Sequence, residues 1–254
     1  MRRTLQQVAR AWAHWPLPLD AAVVVLGYHR VDDDGGPLAV SRRTFRLHMG
    51  VLEAGRERQP VLDLDDAVGR LAAATAPRRA VAVTFDDAWA DNYTNALAPL
   101  IERQIPATLF VPSRLLGTSG RLSRLQLLDM AAAGVSVGAH SRTHPDLTAC
   151  SDAELEWEVR GSRDDLEDLL GVACTRFAYP NGRLDARVRA AVASAGFRIA
   201  VTTVRGWARA NADPLRIPRN FAEDFDAATF TAALRGGLNY LRPVEALRAR
   251  LRLP

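Results

Sequence analysis

Apolar residues gather in short runs along the chain, and stretches of helical period separate them. The runs at 23–27, 80–85, 106–111, 135–139, 176–179 and 197–203 are rich in Val, Ile, Phe and Ala and read as buried strands. A shorter run at 215–217 predicts a further strand. Between them the period lengthens to that of a helix. Ser41 is placed to cap a helix running to about residue 55, with Phe45, Met49 and Leu52 as its apolar stripe. A shorter helix is predicted over 65–74, and one over 91–104 is expected to turn Tyr93, Leu97, Leu100 and Ile101 inward. Ser123 caps a helix that Gly134 stops. Ser151 and Glu154 form a capping box that opens a long, charged helix ending near Gly171. Helices over 185–195, 226–235 and 243–253 complete the pattern, and Leu5, Val8, Trp12 and Trp15 predict a short amphipathic helix within 1–21.

Strand and helix alternate at least five times, which predicts an α/β fold built on a parallel sheet or barrel. No linker and no internal repeat divides the 254 residues. One domain over 22–225 is therefore expected, with 226–254 packed on it as terminal helices.

Composition narrows the chemistry. All 33 basic residues are Arg, so a Lys Schiff base, a P-loop lysine and a Lys general base are excluded. The net charge is +4, but the Arg residues are interleaved with acids and form no nucleic-acid stripe. Cys150 and Cys174 fall in no CxxC pattern and read as free thiols. The MRR start is followed by no continuous apolar region, no later segment reads as a membrane span, and a cytoplasmic location is the expectation.

In parallel α/β folds the active site gathers at the C-terminal ends of the strands. The 80–85 strand ends in adjacent acids, Asp86 and Asp87, and charge at the end of a buried strand is costly unless a metal, a proton or a cation compensates it. A plainer alternative makes Asp86 a helix cap and Asp87 a solvated turn residue. His29 follows the 23–27 strand, His140 and His144 follow the 135–139 strand, and Pro180, Asn181 and Gly182 follow the 176–179 strand. Two imidazoles four residues apart, with a carboxylate from another strand end, make a two-His, one-carboxylate metal site with open positions. The second carboxylate is then free to act as a general base. His48 lies within the predicted 41–55 helix and reads as structural or exposed.

Together, TFDD at 84–87, HSRTH at 140–144 and FAYPNG at 177–182 resemble the polysaccharide deacetylases of the NodB-homology type, carbohydrate esterase family 4. LGYHRV at 26–31, PATLFV at 106–111 and AVTT at 200–203 support the likeness, which covers roughly residues 22–220. It implies a distorted (β/α) barrel and metal-dependent removal of N-acetyl groups from an N-acetylhexosamine-containing polysaccharide or its precursor, an attack on a non-peptide C–N bond. It further implies Asp86 as general base, with Asp87, His140 and His144 as ligands of a divalent metal, most often Zn2+. Backbone around Tyr179, Pro180 and Asn181 would hold the oxyanion.

Three departures from the family pattern stand out. Ala88 replaces the usual Gly after the Asp pair. Ala178 and Asn181 stand where the third motif usually carries Arg and Tyr, so the cation that orients the base must come from elsewhere. Arg219 in RIPRN is the first candidate, Arg176 the second. No His follows His144, which leaves His14, His29 and His48 as candidates for the general acid. The resemblance to the exopolysaccharide, poly-N-acetylglucosamine deacetylase-like branch, where the acid comes from the first strand, implies His29. The competing functions are hydrolysis of another non-peptide amide and a catalytically inactive glycan-binding protein. The expected partner is an N-acetylated glycan or a lipid-linked glycan precursor, with peripheral membrane contact through the N-terminal helix and Arg242, Arg248, Arg250 and Arg252.

Overall fold

The computed structural model describes residues 21–36, 38–77 and 79–236. The helices expected within 1–21 and over 243–253 lie outside the described residues. The chain opens with strand β1 (Ala22–Tyr28), then a small parallel pair, β2 (Arg30–Val31) and β3 (Ala39–Val40). Helices α1 (Arg42–Gly55) and α2 (Leu64–Ala72) lead into β4 (Arg79–Phe85). Then come α3 (Leu97–Glu102), β5 (Ala107–Val111), α4 (Arg124–Ala132) and β6 (Ser136–Ala139). The second half holds α5 (Asp152–Leu170), β7 (Arg176–Ala178), α6 (Ala186–Ser194), β8 (Ile199–Val201), β9 (Ala208–Arg209), β10 (Asn220–Phe221) and α7 (Ala227–Leu234). Ser41, Ser123, Ser151, Asp185 and Asp226 each accept a backbone N–H at a helix start, so the caps fix where five of these helices begin.

The main sheet is parallel along β10-β1-β4-β5-β6-β7-β8, and β9 adds antiparallel to the start of β1. The run predicted as a strand at 215–217 makes only a single bridge, Ile217 to Val201 of β8. Three residues later Asn220 pairs with Leu26 of β1. One short segment thus touches both edges of the sheet and curls it into a barrel. Pro214 and Pro218 flank the bridge and cannot donate to a ladder, which limits its length.

Side chains alternate across a strand, and here that alternation separates two cores. Val24, Leu26, Val81, Val83, Phe85, Leu109 and Phe177 point outward under the helices. Val23, Val25, Ala80, Ala82, Phe110, Ala178, Ile199 and Val201 point into the barrel, closed at its lower end by Leu64, Ala67, Val68 and Leu71 of α2. Continued past the strand ends, the inner phase reaches His29, Asp86 and His140. Tyr179 falls in the outer phase.

One helix departs from expectation. The segment predicted as a regular helix over 91–104 begins with a π-helical turn, Asn92–Ala96, before α3. The wider turn rotates the helical residues beyond it. Leu100 is buried as expected, but Ile101 is 46% exposed, and Asn92 is buried instead. Its amide donates to the His29 carbonyl at 2.7 Å, tying this turn to the end of β1. Cys150 and Cys174 are free. Among the described residues no helix is long and apolar enough to cross a membrane.

His48 is wholly buried in the outer core. Its Nδ1 meets the Tyr28 hydroxyl at 3.1 Å, its Nε2 the Phe225 carbonyl at 3.0 Å, and its ring stacks on Phe230 at 3.8 Å. Burial pushes its pKa down to about 4, only partly opposed by the Phe225 carbonyl and Asp224. The folded state then binds fewer protons than the unfolded chain between that value and the unperturbed one near 6.5. Its contribution is present above the unfolded pKa and lost as pH falls through the folded one. Denaturant titrations should show wild type losing about 3 kcal/mol through this group between pH 7 and pH 4. His48→Gln should flatten that part of the slope; an unchanged slope would refute the assignment.

Candidate active site

Asp86 follows β4 directly, in the inner phase, and is 2% exposed. Its two oxygens each accept from one terminal nitrogen of Arg219 at 2.7 Å. Arg219 is fully buried, donates through Nε to the Thr202 carbonyl at 3.0 Å, and reaches Thr84 Oγ1 at 3.1 Å. Phe110 and Phe221 lie 5.7 and 4.8 Å from its guanidinium carbon. Gly27 and Gly138 make this possible, because a Cβ at either would come within 2.6 Å of Phe221 or 2.7 Å of Phe110. Burial alone would raise the Asp86 carboxyl. The charge and hydrogen bonds of Arg219 overcome that and hold it well below the usual carboxylate range. Asp86 therefore caps no helix. The runner-up cation, Arg176, points to the other end of the barrel, where its Nε and NH2 donate to the two Asp65 oxygens at 2.9 and 2.7 Å.

Asp87 turns away from its neighbour because the chain bends sharply: Asp87 and Ala88 both have positive φ, 75° and 53°. A Cβ is strained in that region, which is the physical reason glycine would sit more easily at position 88. The turn aims Asp87 Oδ1 at two imidazoles, His140 Nε2 at 3.6 Å and His144 Nε2 at 3.4 Å. The second oxygen is held by the Trp89 indole N–H at 3.3 Å and lies 3.8 Å from the Arg121 guanidinium, which stacks on Trp89. His140 Nδ1 lies 2.7 Å from the Ala178 carbonyl. A carbonyl only accepts, so Nδ1 carries the proton and the Nε2 lone pair faces Asp87. Burial pushes the His140 pKa down to about 4 against the pull of Asp86, which keeps the ring in its neutral, ligating form.

These three residues fit a metal ion. Their ligand atoms all lie within 4.8 Å of one another. Tetrahedral zinc bonds of about 2.0–2.1 Å would separate neighbouring ligand atoms by about 3.3 Å, close to the separations of Asp87 Oδ1 from the two rings. The geometry does not choose among divalent ions.

His29 stacks on Phe221, with centroids 5.1 Å apart, and its Nε2 lies 3.9 Å from Asp86 Oδ2. Burial lowers its pKa, while the charges of Asp86 and Asp87 oppose that. Tyr179 takes no part through its side chain: it is buried in the outer core and its hydroxyl donates to the Leu215 carbonyl at 2.9 Å. Pro180 begins a short turn in which Asn181 is exposed and left-handed, with φ 55°. The Tyr179 backbone N–H donates to the Val201 carbonyl at 3.2 Å, so this residue has no free donor for an oxyanion site, contrary to the expectation from the motif. Trp89 and Arg121 were not anticipated. Trp89 stands two residues past Asp87, the one readable sign; Arg121 comes from a distant loop bonded to the same turn through Leu122 N–H to Ala88 O. His14 lies outside the described residues.

The Asp86–Arg219 pair carries a quantitative expectation. Removing one partner of a buried pair strands the other, at a cost of about 3–5 kcal/mol. Arg219→Met should therefore be strongly destabilised in urea titrations of the metal-free protein. Adding Asp86→Asn should make that variant more stable, not less. Strictly additive losses in the two single variants and the double would show that the pair is not coupled.

Comparisons with known proteins identify the family and the fold. The family model described as "Polysaccharide deacetylase" matches residues 73–200, half of the chain. YxkH of Bacillus subtilis (strain 168), whose name carries the same family description, is 28% identical over 199 residues, covering 78% of this chain and 70% of its own length. A chitooligosaccharide deacetylase of Bradyrhizobium sp. (strain ANU 289) is 33% identical over 139 residues, 53% of this chain and 62% of that protein. Among solved structures, IcaB from Ammonifex degensii superposes with a TM-score of 0.71 at 26% identity, covering 85% of this chain and 97% of its own. With its curled parallel sheet and the matched segments that carry Asp86, Asp87, His140 and His144, the chain belongs to the polysaccharide deacetylase family.

Proposed function

We infer that this protein is a metal-dependent hydrolase that removes N-acetyl groups from an N-acetylhexosamine-containing polysaccharide or its precursor. The observation that carries the reading is the division of labour between adjacent carboxylates. Asp86 is locked to Arg219, while Asp87 faces two histidines whose Nε2 atoms converge on it.

Asp87, His140 and His144 would hold a divalent ion, which would supply Lewis acidity toward water and the acetamide carbonyl. Asp86 is kept ionised by Arg219 and accepts the proton of the attacking water. His29, whose Nε2 lies 3.9 Å from Asp86 Oδ2, takes on the proton that Asp86 has accepted and passes it to the departing amine, and Phe221 fixes its ring plane. The backbone N–H of Asn181 stabilises the developing oxyanion; Pro180 has no N–H to offer and serves to set the turn. The products are acetate and a free amino sugar.

A second reading keeps the reaction and changes the substrate to another non-peptide amide. Ala178 and Asn181, which differ from the usual third motif, favour keeping it in view. A lipid-linked precursor is the proposed physiological form, supported by the basic residues Arg242, Arg248, Arg250 and Arg252; sedimentation with anionic vesicles tests the membrane contact.

Acetate release from N-acetylglucosamine oligomers by zinc-reconstituted protein is the direct test. Asp86→Asn should lower kcat by about 10²–10⁴-fold while retaining stoichiometric metal. His140→Ala should lose metal as well as turnover. Metal binding without acetate release from any oligomer would favour the other-amide reading, to be followed with a panel of small amides. An Asp86→Asn protein that keeps full activity would refute the base assignment.

A further inference from the structure

Glu158, on α5, is 4% exposed, and its carboxylate is aimed at the backbone between the two histidines. The Arg142 and Thr143 N–H groups donate to its Oε2 at 2.8 and 2.9 Å, and the Thr143 hydroxyl donates to its Oε1. Both residues belong to the three-residue stretch joining His140 to His144. A carboxylate offers acceptors only, so it matches a loop that presents donors, and charge strengthens each bond.

The stretch needs holding. Ser141 and His144 both have positive φ, 59° and 65°, conformations that L-residues rarely adopt. Ser141 Oγ accepts from the His144 N–H at 3.0 Å, which ties the loop only to itself. The loop's carbonyls are held from the segment after β5, where the Ser113 and Arg114 N–H groups donate to those of Ser141 and Arg142 at 3.2 and 2.9 Å. Its donors are held from one face of α5. Two turns beyond Glu158, Asp165 takes both Nε and NH2 of Arg142 at 2.9 Å and also accepts from the Ser113 hydroxyl at 2.7 Å. Between them Gly161 leaves room for the guanidinium, since a Cβ there would lie 2.2 Å from its carbon. Glu158, Gly161 and Asp165 are spaced three and four residues apart, as residues sharing a helix face must be.

We propose that Glu158 is a positioning residue that presets His140 and His144 for metal binding, so that the ion does not have to order the loop itself. This rests on the reading of Asp87, His140 and His144 as metal ligands. Residues that orient metal ligands typically change affinity by about 10–100-fold when removed.

The test uses metal-free full-length protein and two readouts other than turnover. Zinc affinity is measured by competition with a chromogenic chelator, and amide hydrogen exchange is followed at Arg142 and Thr143. Glu158→Gln should bind zinc about 10–100-fold more weakly and exchange faster at both amides before any metal is added. Thr143→Val removes one of the three bonds at an exposed residue, so it tests the idea even if Glu158→Gln does not fold; a smaller loss of affinity in the same direction is expected. Leu166→Ala loosens the same helix without touching the loop and should leave zinc affinity as in wild type. Affinities within twofold of wild type in both loop variants, or an equal loss in Leu166→Ala, would overturn the positioning role. A wild-type protein that binds no divalent ion would instead overturn the metal assignment, and the proposal with it.

Discussion

A buried guanidinium facing a buried carboxylate is the constraint around which the barrel is built. Neither Arg219 nor Asp86 could be desolvated alone, and both are almost entirely withdrawn from water. The two parallel 2.7 Å bonds, the Thr202 carbonyl and the Thr84 hydroxyl leave few of the guanidinium donors unmet. Two phenylalanines close over what remains, and two glycines make room for them. A lysine could not reproduce this, because a point charge has no fork to match both oxygens. The chain contains none.

The rest of the site is arranged by parity and by strain. Parity turns His29, Asp86 and His140 into one interior from three separate strands. Strain does what parity cannot: Asp87 adjoins Asp86 and would face the opposite side of a continued strand. Two successive left-handed residues bring its carboxylate back toward the barrel axis. His144 reaches the same point by a similar device, a loop with left-handed residues at Ser141 and at His144 itself. The interior is narrow, lined by Ala80, Ala82 and Ala178, which brings these groups within a few ångströms of one another.

Much of this is legible in the sequence for stateable reasons. Strands and caps carry local signals, and the helix starts at Ser41, Ser123 and Ser151 stand one residue past their cap. The candidate metal site is legible because Asp87, His140 and His144 sit in short motifs at strand ends. What resists reading is what depends on pairing across distance or on a change of helical pitch. The π-helical turn at Asn92–Ala96 leaves no periodic trace, and Ile101 is misassigned as a result. The choice between Arg219 and Arg176 is a matter of barrel ends, and the run at 215–217 conceals it by becoming a bridge between two edges. Tyr179 looks like a site residue because it adjoins the Pro180 turn; counting strand phase from Ala178 would have sent it outward. Glu158 offered a sign too: it shares a buried helical stripe with Leu155, Val159, Ser162 and Leu166, where a charge is out of place unless something meets it.

The barrel-closing segment also sets an order of events for the growing chain. Asp86 and Arg219 are 133 residues apart, and the strand that delivers the arginine is the last to join the sheet. At a synthesis rate of about 5–20 residues per second, the carboxylate waits roughly 7–27 s for its partner to be made. During that interval the C-terminal part of β1 lacks its β10 partner, β8 exists only near the end, and the inner face cannot exclude water around the lone charge. Long-range closure of this kind slows folding, because the entropy of a large loop is lost before its contacts form. The interaction that holds the finished interior together is thus among the last that a nascent chain can make.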